Sequence, residues 1–234
     1  MEEPFNSATP HVHTACLVGV QPAGCAMMSG SAVVQRVGVM GGAFDPPHLA
    51  HIALAQAAMT QLQLDWLHIV PTGLAWHKQR VLTAAAHRIA MVQLAFEFIP
   101  QAVVDVRETL RSGPSYTIDT LREMQAALPH AELFLIMGAD QAHALHTWKS
   151  WQNIVQIAIV CIASRAYSMG ISGIFGTLDA QKMDPSRFRQ ITLPGMKISA
   201  TDIRAQLAAQ HDVTALVSEP VVRYIADHHL YQTL

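Results

Sequence analysis

The sequence is poor in cysteine, in net charge and in long apolar runs, and each shortage removes a class of protein. Its three cysteines, Cys16, Cys25 and Cys161, are odd in number and show no Cys-x-x-Cys spacing. That argues against a disulfide framework or a cysteine zinc site and suits a reducing cytoplasm. Lys and Arg number 15 against 17 Asp and Glu, a formal charge of −2, so no global basic field draws nucleic acid as a partner. No apolar run approaches the roughly 18–20 residues of a membrane span, which sets the membrane aside as well. Hydrophobic residues are abundant, 51% of 234, and only 14% are charged; that is enough to bury the core of one substantial domain. Thirteen histidines add latent positive charge near neutral pH and leave room for a local anion site.

Residues 15–28 are mildly apolar and end in small residues, as a signal peptide does. However, Glu2 and Glu3 stand where a positive segment belongs, and Pro22 and Gly24 interrupt the run. Residues 1–32 are therefore read as a disordered N-terminal extension that carries no chemistry. From residue 33 onward, short β-branched runs alternate with longer helical stretches, the pattern of an α/β protein with a mainly parallel sheet. Strands are expected over 33–40, 66–71, 102–107, 132–138, 157–164 and 189–194. Helices are expected over 49–62 and 84–98, from about Tyr116, across 140–146, and in the closing segments 199–210 and 220–230. A polar connection covers 165–187. Gly and Pro fall between elements and no repeat or linker interrupts the series, so 33–234 is expected to form one domain.

Ligands of such sheets lie outside the carboxyl ends of the strands, and "GGAFDPPHLAH" at 41–51 falls there. Gly41 and Gly42 allow a tight turn and a close approach of backbone N–H groups to an anion. The next helix turns its positive end to the same place. His48 and His51, at i and i+3, share one face of the first helical turn; their imidazoles can donate to phosphate oxygens and, when protonated, neutralise charge. An arbitrary His-x-x-His is more often a surface pair or a cap, and zinc is disfavoured by the lack of a His-Glu-x-x-His pattern. The consecutive register of Gly-Gly, Asp-Pro-Pro and His-x-x-His favours phosphate, although neither common glycine-rich nucleotide loop is present.

The same stretch resembles the Gly-Gly-Ser/Thr-Phe-Asp-Pro-x-His-x-Gly-His signature of a family of nucleotidyltransferases. "ISATDIR" at 198–204 is similar to that family's second signature, Ile-Ser-x-Thr-x-Ile-Arg. Read alone, the second stretch is a capped helix start: Ser199 or Thr201 can cap it, and Arg204 adds a forked cation for phosphate. There are two departures. Ala43 replaces a Ser or Thr and removes a hydroxyl, and Ala50 replaces the glycine between the histidines and adds a methyl group. The resemblance implies a Rossmann-like, doubly wound sheet with C-terminal helices, and a nucleotidyltransferase domain over 33–234. It implies that ATP is held by Gly41, Gly42, Ala43, Phe44, His48, His51, Gly138, Asp140, Ile198, Ser199, Thr201 and Arg204, with His48, His51 and Arg204 catalytic. Mg²⁺ would come mainly with the ATP phosphates, without a protein metal site.

Three further stretches are similar to bacterial nicotinate mononucleotide adenylyltransferases: "HKQRVLTAAAHRIAMVQLA" (77–95), "SYTIDTL" (115–121) and "GADQAHALHTWKSWQNI" (138–154). They imply that Trp148 stacks on a pyridine ring and that the Tyr116–Thr117 backbone holds the nicotinate carboxylate. They further imply that Lys78 meets the acceptor phosphate, and that Gly138 and Asp140 meet the adenosine ribose. Beside these stand plainer readings: Trp148 and, more so, Trp151 as packing residues, Tyr116 as a helix start, and Asp140 as a cap of the short helix it opens. His143, His146, His228 and His229 are read as partly exposed helix residues and not as ligands, and Met91, Met124, Met137 and Met169 as core or near-core filler. The expected reaction is transfer of the adenylyl group of ATP to nicotinate mononucleotide, giving nicotinate adenine dinucleotide and pyrophosphate. The alternatives are nicotinamide mononucleotide or phosphopantetheine as acceptor, or a non-catalytic nucleotide-binding module on the same fold. The partners are then ATP and nicotinate mononucleotide, and self-association into a homo-oligomer is compatible with the sequence.

Overall fold

Residues 34–73, 81–165 and 184–232 are described by the computed structural model of the chain. The fold belongs to the unit Val34–Leu234. Its strands are β1 (Arg36–Gly42), β2 (Trp66–Pro71), β3 (Ala102–Val104), β4 (Glu132–Gly138), β5 (Ala158–Arg165) and β6 (Phe188–Leu193). Its helices are α1 (Leu49–Gln61), α2 (Ala85–Phe96), α3 (Arg107–Leu110), α4 (Thr117–Ala127), α5 (Ala139–Ala144), α6 (Trp151–Ile157), α7 (Ala200–Ala208) and α8 (Glu219–Asp227). The sheet order is β3-β2-β1-β4-β5-β6, and every pair is parallel. The chain thus winds outward from β1, returns to lay β4 beside it, and winds outward the other way. The point of reversal, between the carboxyl ends of β1 and β4, is where this topology opens a crevice for ligands.

Both faces of the sheet are covered, which is why the central strands are apolar along most of their length. Side chains alternate between two cores. In β4, Phe134 and Ile136 join the core under α1, α2, α7 and α8, whereas Leu133, Leu135 and Met137 join the one under α4, α5 and α6. Gly38 lies inside β1 because a Cβ there would meet Leu64 Cδ1 at 2.6 Å; the turn after α1 packs directly on the strand. Cys161 is a buried free thiol, pushed up to about 12 by burial, and so is chemically inert.

Most expected elements are present within a residue or two, and the differences have local causes. The sheet is wholly parallel among the described residues. The strand expected over 102–107 stops at Val104, because the Asp105 carboxylate accepts the backbone N–H of Arg107 at 3.1 Å and starts α3. Helix α6 had no clear start in the sequence: it follows Ser150 at φ 52°, with no side-chain cap. Most of the 165–187 connection, and with it Met169, lies outside the described residues. No helix among the described residues is long and apolar enough to cross a membrane.

Candidate active site

The loop after β1 is held by side chains from distant parts of the chain. Phe44 turns it with φ 48°, and its ring is buried in the core, so Phe44 has only backbone to offer a nucleotide. Asp45 is 1% exposed. Its carboxylate accepts the Tyr231 hydroxyl at 2.6 Å and the Thr83 N–H at 3.2 Å. The Asp45 carbonyl accepts Arg204 Nη1 at 2.7 Å, and the Ala43 carbonyl accepts Arg88 Nη1 at 2.9 Å. Arg204 lies on α7, so this contact joins the two signature stretches into one structure.

His48 caps α1 and His51 occupies its first turn; the rings stack at 3.6 Å between centroids, inclined by 23°. The His48 N–H donates to His51 Nδ1 at 3.2 Å, which leaves the proton of a neutral His51 on Nε2. The Phe44 ring meets His51 edge-on at 5.0 Å. Burial pushes His48 down to about 4, so in this state it is neutral at physiological pH, and the charge-neutralising role expected of it requires an incoming anion. The helix end also offers less than expected, because the Leu49 N–H is taken by the Leu216 carbonyl at 2.9 Å. Gly41, next to the end of β1, and Gly138, at the end of β4, are open: a Cβ on either would meet nothing within 4 Å. At Gly42 a Cβ would instead meet the Phe44 ring at 2.9 Å.

The far wall of the crevice comes from α7. Ser199 is its cap, its Oγ accepting the Asp202 N–H at 3.2 Å, so Ser199 rather than Thr201 does the capping. Thr201 Oγ1 instead accepts Arg204 Nη2 at 3.2 Å. Ile198 packs partly into the core. On the other side Gly138 is the cap of α5 and Asp140 lies exposed in its first turn. Asp140 is therefore not a cap.

The opposite face of the sheet supplies the region expected to take the acceptor. Tyr116 caps α4, Thr117 opens it, and the first N–H groups of a helix have no carbonyl partner inside it. Tyr116, Trp148 and Trp151 all pack on the core under α4 and α6. Lys149 Nζ sits 4.2 Å from the Tyr116 ring centroid and 3.6 Å from Asp119. Beneath them Glu108 is buried, accepting the Thr120 hydroxyl at 2.7 Å, while its carbonyl accepts the Ser115 hydroxyl at 3.1 Å. Burial raises the Glu108 carboxyl above its ordinary range against hydrogen bonds from Thr120 and the Gly73 N–H and the charge of Arg111. Lys78 lies outside the described residues.

The cytidylyltransferase-like family model matches residues 39–206. A "Probable nicotinate-nucleotide adenylyltransferase" of Albidiferax ferrireducens is 58% identical over 200 residues, covering 86% of this chain and 100% of the relative. Another of that name, from Methylibium petroleiphilum, is 39% identical and covers 84% of this chain and 92% of its own length. The chain belongs to the cytidylyltransferase-like family. Among solved structures, nicotinic acid mononucleotide adenylyltransferase of Plasmodium falciparum complexed with APC matches with TM-score 0.68 at 18% identity, over 84% of this chain and 97% of that one. That likeness concerns the fold.

Seen as a cytidylyltransferase-like site, the crevice brings together most of the residues expected from the sequence. Gly41, Gly42, Ala43, His48 and His51 lie on the stretch that runs from the end of β1 into α1, Arg204 meets it at Asp45 and holds Thr201 beside it, Ser199 caps the helix that carries both, and Gly138 ends the neighbouring strand β4. Tyr116, Thr117 and Trp148 share the other face. Sequence reasoning missed Asp45, although it stands inside the first signature, and also Arg88, Glu108, Lys149 and Tyr231. Arg88 had a signal, a cation on the apolar face of α2. Tyr231 had none. Among the described residues no group of three or more His, Cys, Asp or Glu is placed to hold a metal ion.

Proposed function

We propose that the protein transfers the adenylyl group of MgATP to nicotinate mononucleotide, releasing pyrophosphate and forming nicotinate adenine dinucleotide, a step of pyridine nucleotide biosynthesis. The observation that carries the reading is the Arg204–Asp45 contact, which holds both family signatures at one crevice. Relatives bearing the name of this activity over nearly the whole chain support it. The scarcity and odd number of the cysteines fit a cytoplasmic setting.

The acceptor's phosphate oxygen attacks the α-phosphorus of ATP in line; the new P–O bond forms as the bond to the bridging oxygen breaks and pyrophosphate leaves. The attacking phosphate is already an anion, so the chain needs neither a nucleophile of its own nor a strong base. Its task is positioning and charge stabilisation. His48 and His51 donate N–H groups to the triphosphate, and the phosphate charge draws a proton onto His48. Gly41, Gly42, Ala43 and Phe44 present backbone. Arg204 and the start of α7 at Ile198, Ser199 and Thr201 steady the leaving pyrophosphate. Gly138 and Asp140 receive the adenosine ribose. On the acceptor side Trp148 stacks on the pyridine ring and Lys78 meets the phosphate. The Tyr116–Thr117 backbone donates to the carboxylate; an amide would turn a donor toward donors there.

The direct-transfer chemistry is tested with ATP labelled on the α-phosphorus. The label should pass to a dinucleotide only when nicotinate mononucleotide is present, and none should remain on the protein. Label trapped on the protein would contradict the in-line reaction.

A further inference from the structure

We propose that Tyr231 is a positioning residue for the histidine loop, acting through the Asp45 carboxylate. Tyr231 is 186 residues from Asp45 in sequence, yet its hydroxyl donates to Asp45 Oδ1 at 2.6 Å. The chain reaches that point through a left-handed residue, φ 64° at Tyr231, just beyond α8. The hydroxyl also touches Met91 Sδ of α2 at 4.0 Å, so the ring is seated between the C-terminal segment and α2. Burial beside Asp45 raises the Tyr231 phenol above its ordinary range, and it remains a donor throughout the neutral range.

The other Asp45 oxygen accepts the Thr83 N–H. Two donors approaching the two oxygens fix the rotation of a carboxylate that is 1% exposed, and a buried carboxylate that loses a donor must move or recruit another. Its movement cannot stay local. The residue before it, Phe44, holds a left-handed turn, the Asp45 carbonyl is the acceptor for Arg204, and His48 follows three positions after Asp45. Tyr231 therefore sets, at one remove, the spacing between Arg204 and the stacked histidines. A tyrosine serving only as packing would need its ring and not its hydroxyl.

This inference rests on the reading of the crevice as a triphosphate site, and its test separates the two. Tyr231→Phe keeps the ring and loses the donor. Affinity for α,β-methylene ATP is measured by calorimetry, and kcat and KM by pyrophosphate release, both well below the variant's Tm. The expected result is analogue binding about tenfold weaker and kcat about tenfold lower, the scale of one hydrogen bond to a charged group. The KM for nicotinate mononucleotide should stay within about twofold, because the acceptor contacts are untouched. Tyr224→Phe removes a phenol on α8 that bonds His87 at 3.0 Å and should leave binding and kcat at wild-type values. Asp45→Asn should act in the same direction as Tyr231→Phe, and the double variant should be no worse than the poorer single one. A folded Tyr231→Phe with wild-type affinity and kcat overturns the proposal. If that variant does not fold, wild-type values in Asp45→Asn overturn it. A wild-type protein that binds the analogue but turns over no acceptor removes the functional reading alone, and the affinity comparison still decides the role of Tyr231. A wild type that does neither overturns both.

Discussion

Two buried carboxylates anchor the two halves of the crevice, and they are satisfied in different ways. Asp45, on the histidine side, is held by the Tyr231 hydroxyl and the Thr83 N–H, both from parts of the chain remote in sequence. Glu108, on the acceptor side, is held by Thr120 and by the Gly73 N–H, and its neighbourhood is ionic. Arg111 reaches Thr120 and Glu123, Arg107 reaches Glu123 and Asp105, and Asp105 meets His68. On the proposed assignment, the nucleotide half is locked by a few long-range bonds around one loop, the acceptor half by a chain of neighbouring charges along α3 and α4. In this proposal phosphate chemistry rests on a loop fixed from several directions, whereas ring and carboxylate recognition rests on the start of a single helix.

Breaking the histidine half should have the largest effect. His51→Ala removes an imidazole that the proposal assigns to the triphosphate and should lower kcat by about 10²- to 10³-fold, the range for one lost donor to developing charge. The KM for nicotinate mononucleotide should change far less; steady-state kinetics with a raised acceptor KM and an intact kcat would reverse the assignment of the two halves.

The second test sharpens the contrast through pH. Burial lowers His48 from 6.5 in the unfolded chain to about 4 in the folded one, so between those values the unfolded state binds the extra proton. The contribution of a neutral His48 is therefore fully present above pH 6.5 and lost as pH falls toward 4, a change of about 3 kcal/mol. Urea unfolding of wild type and His48→Gln across that window should show a steeper acid loss in the wild type. Parallel curves would mean that His48 is not buried in solution.

Glu108→Ala should come next. It leaves the Thr120 hydroxyl and the Gly73 N–H without their carboxylate and should cost about 1–3 kcal/mol. The same unfolding measurement reads this, and the change should fall on the acceptor KM rather than on ATP affinity. The smallest effect is expected from Trp148→Ala: loss of one aromatic stack, about 1 kcal/mol, or roughly a fivefold rise in the acceptor KM with ATP binding unchanged. If ATP binding weakened equally, the two halves would not be separate.

Much of the fold was legible because hydrophobic periodicity reports it directly: β2 and β4 run over the expected residues, and α1 ends one residue early. Local patterns also gave the histidine pair, a cap at Ser199 or Thr201 and the helix start at Tyr116, each set by residues within a few positions of one another. What could not be read is what depends on distance in sequence. Tyr231 meeting Asp45 leaves no trace in any short window. His48 looked like a cation in waiting and is neutral because of its burial, which only tertiary structure decides. Asp140 has a capping residue's chemistry but enters its helix two positions too late. The missed α6 begins at a left-handed serine, which no helix-start pattern describes.

The proposed site has a triphosphate half and a carboxylate half, and the most direct measurement offers it two acceptors that differ in that carboxylate alone. Pyrophosphate release is followed with MgATP and either nicotinate mononucleotide or nicotinamide mononucleotide. The account predicts fast turnover with the acid and at least about a tenfold lower kcat/KM with the amide, the scale of one mispaired hydrogen bond. Equal rates with both would contradict the carboxylate pocket at Tyr116 and Thr117, and no pyrophosphate with either would contradict the assigned reaction.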